Sequence, residues 1–331
     1  MQDVHIIAEA GTNHNGNFAT AKKLIDIAKK ANAHSVKFQI IYPEGLYLPG
    51  EYEFGHYDIK EVIAMRKKFM LKDEEYIQLG EYCNDIGIKF TASVFDQKSL
   101  DLLTELKPSY IKIASTDLNN ISFLRKVIEK GIKTILSTGM SSLSDIENTV
   151  NEITKTGFND LVLMHCVSAY PAKLEDMNLG FIDTLRSAFG FPVGLSDHTQ
   201  GSIAACMALV KDISYIEKHF TQDRTQEGFD HKYAMEENQL IEYVKNIQKS
   251  MLALDRQKNK LGKDELYIRK RARRSLYAAR DITKGEIIED KDILVVRPEG
   301  IMNASDIDLL VGKMIQKDIK QYQAFSLNFI F

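Results

Sequence analysis

The sequence predicts an α/β fold: a (β/α)₈ TIM barrel followed by a small β-rich unit. Three observations predict it. Eight short runs rich in Val, Ile and Phe alternate with stretches of helical periodicity. No dinucleotide-binding turn follows the first run, because AEAGTNHNG lacks the G-x-G-x-x-G spacing of a doubly wound sheet. After residue 274 the strand–helix period stops, and short strands and turns such as DITKGEII take over. The expected boundaries are a barrel over 1–254, a linker over 255–274 and the β-rich unit over 275–331.

The strand runs are HIIAEAG (5–11), SVKFQI (35–40), KFTASVF (89–95), YIKIAST (110–116), TILSTGM (134–140), LVLMHCV (161–167), VGLSDH (193–198) and YIEKHF (215–220). Helical stretches such as ATAKKLIDIAKKA, DEEYIQLGEYCND and SLSDIENTVNEI separate them, and ENQLIEYVKNIQKSMLALD follows the last. Consecutive strand–helix units imply parallel strands with right-handed crossovers, which close most simply into a barrel. The unit between the second and third strands is long. Its segment 41–72, rich in aromatic residues and containing His56, should include a packed lid over one barrel mouth. Residues 255–274, DRQKNKLGKDELYIRKRARR, are polar and basic, and read as a solvated connector rather than a nucleic-acid site.

Hydrophobic residues make up 44% of the 331 and charged residues 27%, the profile of an ordinary globular protein. A net charge of −3 gives no global pull toward nucleic acid or anionic membrane, so anion binding must be local. Cys83, Cys166 and Cys206 are isolated in apolar runs and read as buried thiols in a reducing compartment. The N-terminus shows no signal-peptide pattern, and no apolar stretch approaches a membrane span. A cytoplasmic location is expected.

In a barrel, catalytic groups project from the C-terminal strand ends and the loops beyond them. Polar residues concentrate there: Glu9 on the first strand, Lys37 and Gln39 on the second, Ser93 on the third, then Lys112, Ser115 and Asp117 around the fourth. Ser137 follows on the fifth, His165 and Ser168 on the sixth, Ser196 and His198 on the seventh, and Glu217 and His219 on the eighth. Lysines and hydroxyls converging on one mouth suit a small, highly charged phosphate ester. The alternative is that Lys37 and Lys112 pair with Glu9, Asp117 or Glu217 as core salt bridges. His198 and His219 end adjacent strands, and two imidazoles with open positions suit a catalytic divalent ion; hydrogen-bonded core histidines are the competing reading. His5 and His34 fall at strand starts and read as structural. The loop GFDHKYAM (228–235) holds Asp230 and His231 over the same mouth, either as a turn or as a contact for a polyhydroxylated substrate.

Taken in order, AEAGTNHNG, VKFQ, YIKIAST, ILSTGM, HCVSAYPA, GLSDHTQG, IEKHF and GFDHKYAM resemble the sialic acid synthase family. RRSLYAARDITKGEIIEDKDILVVRPEGI is similar to the antifreeze-like (SAF, β-clip) domain that follows the barrel in those enzymes. The resemblance implies condensation of phosphoenolpyruvate with N-acetylmannosamine or a related 2-acetamido or 2,4-diacetamido sugar, releasing phosphate. It implies a domain-swapped homodimer and a divalent cofactor, Mn²⁺ first, with Mg²⁺ or Co²⁺ as alternatives. By matching motif, His198 and His219 would hold the metal. Lys37, Ser93, Lys112, Ser115, Ser137, Ser168 and Ser196 would hold phosphoenolpyruvate. Gln39, Tyr170 and Asp230 would face the sugar, Arg297 would reach its acylamino group from the partner chain, and Glu9 and Asp117 would handle protons or water. Asp117 departs from the family's more usual glutamate, and the segment after VKFQ departs from its lid pattern. N-acetylmannosamine, 6-deoxy diacetamido sugars and a spore-coat-type sugar therefore all stay open as acceptors. Competing readings are another phosphoenolpyruvate-condensing barrel acting on a phosphorylated aldose, a metal-dependent aldolase, and a non-catalytic barrel with a carbohydrate-binding C-terminal domain.

Overall fold

The computed structural model describes residues 4–48, 58–254 and 261–331, so His56 lies outside the described residues. Two compact units divide the chain, residues 1–255 and 256–331.

In the first unit eight parallel strands close in sequence order into a barrel. They are β1 (His5–Gly11), β2 (Ser35–Ile40), β3 (Lys89–Val94), β4 (Ile111–Ile113), β5 (Thr134–Ser137), β6 (Leu161–Cys166), β7 (Val193–Asp197) and β8 (Tyr215–His219). All eight lie inside the runs read from sequence, several trimmed at their C-terminal ends. The fourth run is cut most: Ser115–Asp117 leave the sheet as a 3₁₀ turn, and the Ser115 hydroxyl accepts a hydrogen bond from the Gly139 N–H at 3.0 Å.

The helices of this unit are α1 (Phe18–Lys30), α2 (Pro43–Leu46), α3 (Ile59–Lys68), α4 (Asp73–Ile86), α5 (Gln97–Glu105), α6 (Ile121–Ile128), α7 (Leu143–Thr154), α8 (Phe181–Phe189), α9 (Ile203–Ala208) and α10 (Glu237–Ala253). In α1, Ala21, Leu24, Ile25 and Ala28 are buried, the i, i+3, i+4, i+7 stripe of an amphipathic helix. Fully burying a leucine or isoleucine there contributes roughly 1.5–3 kcal/mol. Helix starts are set by side-chain caps: Asn17 accepts from Thr20 N–H, Asp96 from Ser99 N–H, and Ser142 with Asp145 forms a reciprocal capping box. The segment read as a lid loop contains α2 and α3. Asp58 caps α3 through the backbone N–H groups of Lys60 and Glu61.

Side-chain alternation sorts the strands into two environments. Ile7, Tyr110, Ile135, Val162 and Met164 form their own buried cluster, separate from the larger one between barrel and helices. Pairing registers then set the polar residues at one level: Glu9 lies beside Lys37 on β2 and His219 on β8, Ser93 beside Lys112, and Ser196 beside Glu217.

In the second unit, β9 (Ser275–Ala278) pairs antiparallel with β10 (Ile293–Val296) over a separate core that includes Leu276, Ile282, Ile288, Leu310, Ile315 and Phe325. The stretch read as a linker is only partly a connector. Ten of its residues form α11 (Lys263–Ala272), with Asp264 and Glu265 in the first turn and Arg269, Lys270 and Arg271 in the last, the charge order that the helix dipole favours. Arg269 pairs with Glu299 at 2.6 Å and ties the helix to its own unit. Among the described residues, no helix is long and apolar enough to cross a membrane.

Candidate active site

Two hollows occupy the mouth at the C-terminal strand ends. The smaller, ≈ 240 Å³, is lined by Glu9, Lys37, Ser93, Lys112, Ser115, Ser137, Cys166, Ser168, Ser196, His198, Glu217 and His219 among others. The larger, ≈ 1160 Å³, is lined by Gln39, Asp117, Tyr170, Asp230 and residues of the lid from Gly45 to Arg66. Gln39, Ala114, Thr116, Tyr170 and His219 border both. All seven residues assigned to phosphoenolpyruvate thus line the small hollow, and the barrel's three sugar candidates line the large one. Arg297 lies in the second unit, exposed just past β10.

The floor of the small hollow is a buried charge network. Lys37 Nζ lies 2.8 Å from Glu9 Oε2 and 2.9 Å from the Ser93 hydroxyl. Lys112 Nζ donates to the Ser137 hydroxyl at 2.7 Å. Between the two lysines sits Glu217, its Oε2 3.6 Å from Lys37 and 3.8 Å from Lys112. The core salt bridges weighed as an alternative therefore exist, but they form the wall of a cavity. Glu217 Oε2 is buried with no hydrogen bond, and Glu9 Oε2 faces Lys37 as an ion pair without hydrogen-bond alignment. Buried charge without full hydrogen bonding costs stability, and functional sites are where that cost is tolerated.

The two carboxyls are pushed apart. Burial, reinforced by the Glu217 charge, raises Glu9 to about 7 against the opposing pull of Lys37. For Glu217 burial also pushes upward, yet the ammonium groups of Lys112 and Lys37 overcome it and hold the carboxyl down to about 2. Lys37 stays raised because Glu217 and Glu9 outweigh its burial, whereas burial pulls Lys112 down. With Glu217 held toward its ionised form and Glu9 pushed toward its neutral one, the carboxyls do not fully offset the two lysines, an arrangement suited to an anion.

The imidazoles of His198 and His219 stand with ring centroids 5.4 Å apart. His198 Nδ1 donates to the Val167 carbonyl at 2.8 Å, which fixes the tautomer and leaves Nε2 as an acceptor, 3.3 Å from the Ser196 hydroxyl. His219 Nδ1 is buried without a hydrogen bond, 3.8 Å from Asp230 Oδ2. Burial lowers both, His198 to about 4 with the help of His219, so both rings are neutral at pH 7. Two neutral rings, one with Nδ1 unpartnered and the other with Nε2 facing only a serine hydroxyl, fit a divalent ion whose remaining positions go to water and substrate oxygen. Among the described residues no group of three or more His, Cys, Asp or Glu side chains is placed to hold a metal ion by itself.

Several mouth residues have structural duties. His165 points away from the barrel interior, its Nε2 2.6 Å from the Met177 carbonyl and its ring against Phe181. His231 brackets loops, with Nδ1 2.7 Å from the Thr221 hydroxyl and Nε2 3.2 Å from Asn15 Oδ1. Asp117 is buried and accepts from Asn120 Nδ2 at 3.2 Å. Cys166, Tyr233 and Arg66 also border the hollows, and Glu217, which the sequence offers as a salt-bridge partner of the lysines, lines the smaller one. Glu217 was the most accessible to reasoning, since it sits two residues before His219 on one strand and so shares its face.

A family model described as the NeuB family matches residues 24–259. The chain belongs to the NeuB family. A second model, the SAF domain, matches residues 273–321, so the small β unit is the antifreeze-like domain expected from the C-terminal motif. This NeuB-family chain is 35% identical over 323 residues to the N,N'-diacetyllegionaminic acid synthase of Legionella pneumophila, covering 95% of this chain and 91% of that one. It is 34% identical over 329 residues to the enzyme of that name from Campylobacter jejuni, covering 97% and 98%. A solved N-acetylneuraminic acid synthetase from Leptospira borgpetersenii, in complex with citrate, superposes with a TM-score of 0.71 at 35% identity, over 81% of this chain and 90% of that one.

Proposed function

We propose that this chain condenses phosphoenolpyruvate and water with an N-acylated mannosamine-type sugar, giving a nine-carbon sialic-acid-like 2-keto acid and phosphate. The observation that carries the reading is the small hollow: Lys37 and Lys112 buried beneath a collar of serine hydroxyls, with His198 and His219 at the same mouth.

In this reading the two ammonium groups offset the phosphate and carboxylate charges, and Ser93, Ser115, Ser137, Ser168 and Ser196 give directional donors. A divalent ion held by His198 and His219, Mn²⁺ by preference, would supply Lewis acidity toward the aldehyde of the open-chain sugar. Carbon 3 of phosphoenolpyruvate forms the new bond to the aldehyde carbon, using the electron pair of the enol double bond. Carbon 2 is left electron-poor, and the Glu217 carboxylate, held ionised beside the lysines, stabilises it. Water adds at carbon 2, and Glu9, poised near 7, takes its proton. The carbon–oxygen bond to phosphate then breaks, the pair leaving with the phosphate oxygen, while the two protons of the added water end on the former aldehyde oxygen, by way of Glu9, and on the released phosphate. Asp117, at the edge of the larger hollow, is the second candidate for that proton traffic. Gln39, Tyr170 and Asp230 face the sugar, and Arg297 would reach it from the partner chain of a swapped homodimer.

The phosphorylated-aldose alternative fares worse. The described lining of the large hollow carries Asp58, Glu61, Asp117 and Asp230 against Arg66 and Lys232, an acidic excess that disfavours a second phosphate.

The deciding assay incubates the protein with phosphoenolpyruvate, Mn²⁺ and a panel of acetamido sugars. The expected result is sugar-dependent phosphate release, with a product whose mass equals both substrates plus water less phosphoric acid. Absence of release with every sugar would overturn the reading.

A further inference from the structure

We infer that Arg66 sets acceptor preference by donating to the carbonyl oxygen of a second acylamino group on the sugar. This assignment rests on the synthase reading and narrows its substrate class to doubly acylated acceptors.

Arg66 belongs to α3, the helix of the long unit between β2 and β3, and lines the large hollow. Among the described residues it is held but not neutralised. Its guanidinium carbon lies 3.5 Å from the ring centroid of Phe229, and Nη1 donates to the Thr12 hydroxyl at 3.1 Å. The Phe229 ring and the Thr12 loop together fix the plane of the guanidinium fork. Nε is buried and has no hydrogen-bond partner, and no carboxylate among the described residues pairs with the group. Nε is closed off behind the cavity wall, but a guanidinium is always protonated and carries four further N–H donors on its two Nη atoms, of which Thr12 takes one; the others are permanent donors on a residue that lines the hollow.

The hollow selects the class of acceptor. Its lining has four carboxylates to two cations among the described residues, so it disfavours a further anion such as phosphate. A neutral carbonyl meets the need without adding charge. Val62, Met65 and Phe229 flank Arg66 in the lining, and suit the methyl group that an acetamido carbonyl carries. At ≈ 1160 Å³ the hollow exceeds the roughly 300–1,000 Å³ typical of small-molecule sites. It has room for two acyl arms on one hexose. A site built to hydrogen-bond a substrate group discriminates against an analogue lacking that group, because its own donor is then stranded.

The test compares wild type, Arg66→Lys, Arg66→Met and Phe229→Leu with two acceptors, a 2,4-diacetamido-6-deoxy hexose and N-acetylmannosamine. The readouts are kcat and KM for each sugar and KM for phosphoenolpyruvate. For the doubly acylated sugar we expect kcat/KM to fall about tenfold or more in both Arg66 variants, mainly through KM, and less in Phe229→Leu. N-acetylmannosamine and phosphoenolpyruvate parameters should stay unchanged, collapsing the preference. Because α3 buries none of its residues, thermal unfolding should match wild type in the Arg66 variants. Equal losses for both sugars, or none, overturn the Arg66 assignment while wild-type phosphate release keeps the synthase reading standing. Wild type releasing no phosphate with either sugar overturns both.

Discussion

A Cβ at Gly139 would lie 2.4 Å from the Ser168 hydroxyl, 2.7 Å from Cys166 Sγ and 2.9 Å from the Ser115 hydroxyl, distances that real Cβ atoms do not tolerate. All three neighbours line the small hollow. Gly139→Ala should therefore push two serines off their positions and raise KM for phosphoenolpyruvate about tenfold, a loss of ~1.4 kcal/mol in binding, with sugar KM unchanged; steady-state kinetics check it. His219→Ala should abolish condensation while leaving the unfolding transition in place, and calorimetric titration with Mn²⁺ should then find no site. Full turnover by EDTA-treated wild type would contradict the metal assignment. The lysines, serines and the histidine pair were readable because strand ends are where a barrel keeps its chemistry. Glu217 reads from sequence as one possible partner in a core salt bridge, but nothing in YIEKHF says that its carboxylate lies near Lys37 on β2 and Lys112 on β4 at once, in the wall of a cavity. Only closure of the sheet brings those strands within reach of β8.

Between residue and fold, the segment joining β7 to α9 is held by a buried clamp. Lys218 alternates to the outside of β8, where its Nζ meets Asp197 Oδ2 at 3.0 Å and also donates to the Thr199 carbonyl. Tyr243 on α10 donates to the same carboxylate at 2.9 Å. Removing one partner of a buried pair strands the other, so Lys218→Met should cost about 3–5 kcal/mol in denaturant unfolding. Since His198 follows Asp197 directly, the variant should also weaken Mn²⁺ binding. Alternation explains which mouth residue was misjudged at this scale. His165, placed at the mouth from sequence, sits one position off the inward phase of its strand, and periodicity in a run as short as LVLMHC does not settle which face is inside. The helix in 255–274 was hidden for another reason: KDELYIRKRA lacks an apolar stripe and buries none of its residues, and what supports it is charge order and the Arg269–Glu299 pair, which sequence periodicity does not show.

For the molecule as a whole, eight runs in order were enough to read the barrel, because parallel strands with short crossovers leave few other closures. The same interior makes the fold acid-sensitive. Burial, with the nearby His34 and Lys89, lowers His5 to about 3, and burial, with His231, lowers His14 to about 3. Both stay neutral in the folded protein while the unfolded chain takes up protons below about 6.5. Stability is therefore present in full above that pH and is lost progressively from about 6.5 down to about 3. Urea unfolding at pH 5 should show up to about 2 kcal/mol lost per histidine relative to pH 7.5. Replacing either histidine by an isosteric neutral residue should flatten that slope.

The partition formed by Gln39, Thr116, Tyr170 and His219 between the two hollows has a kinetic corollary. A hexose already seated in the wide outer chamber would stand across the path to the lysines at the back. Loading would then follow a queue, the small anion first and the bulky sugar behind it. Initial-rate patterns should accordingly be sequential and ordered, with an inert sugar analogue uncompetitive against phosphoenolpyruvate.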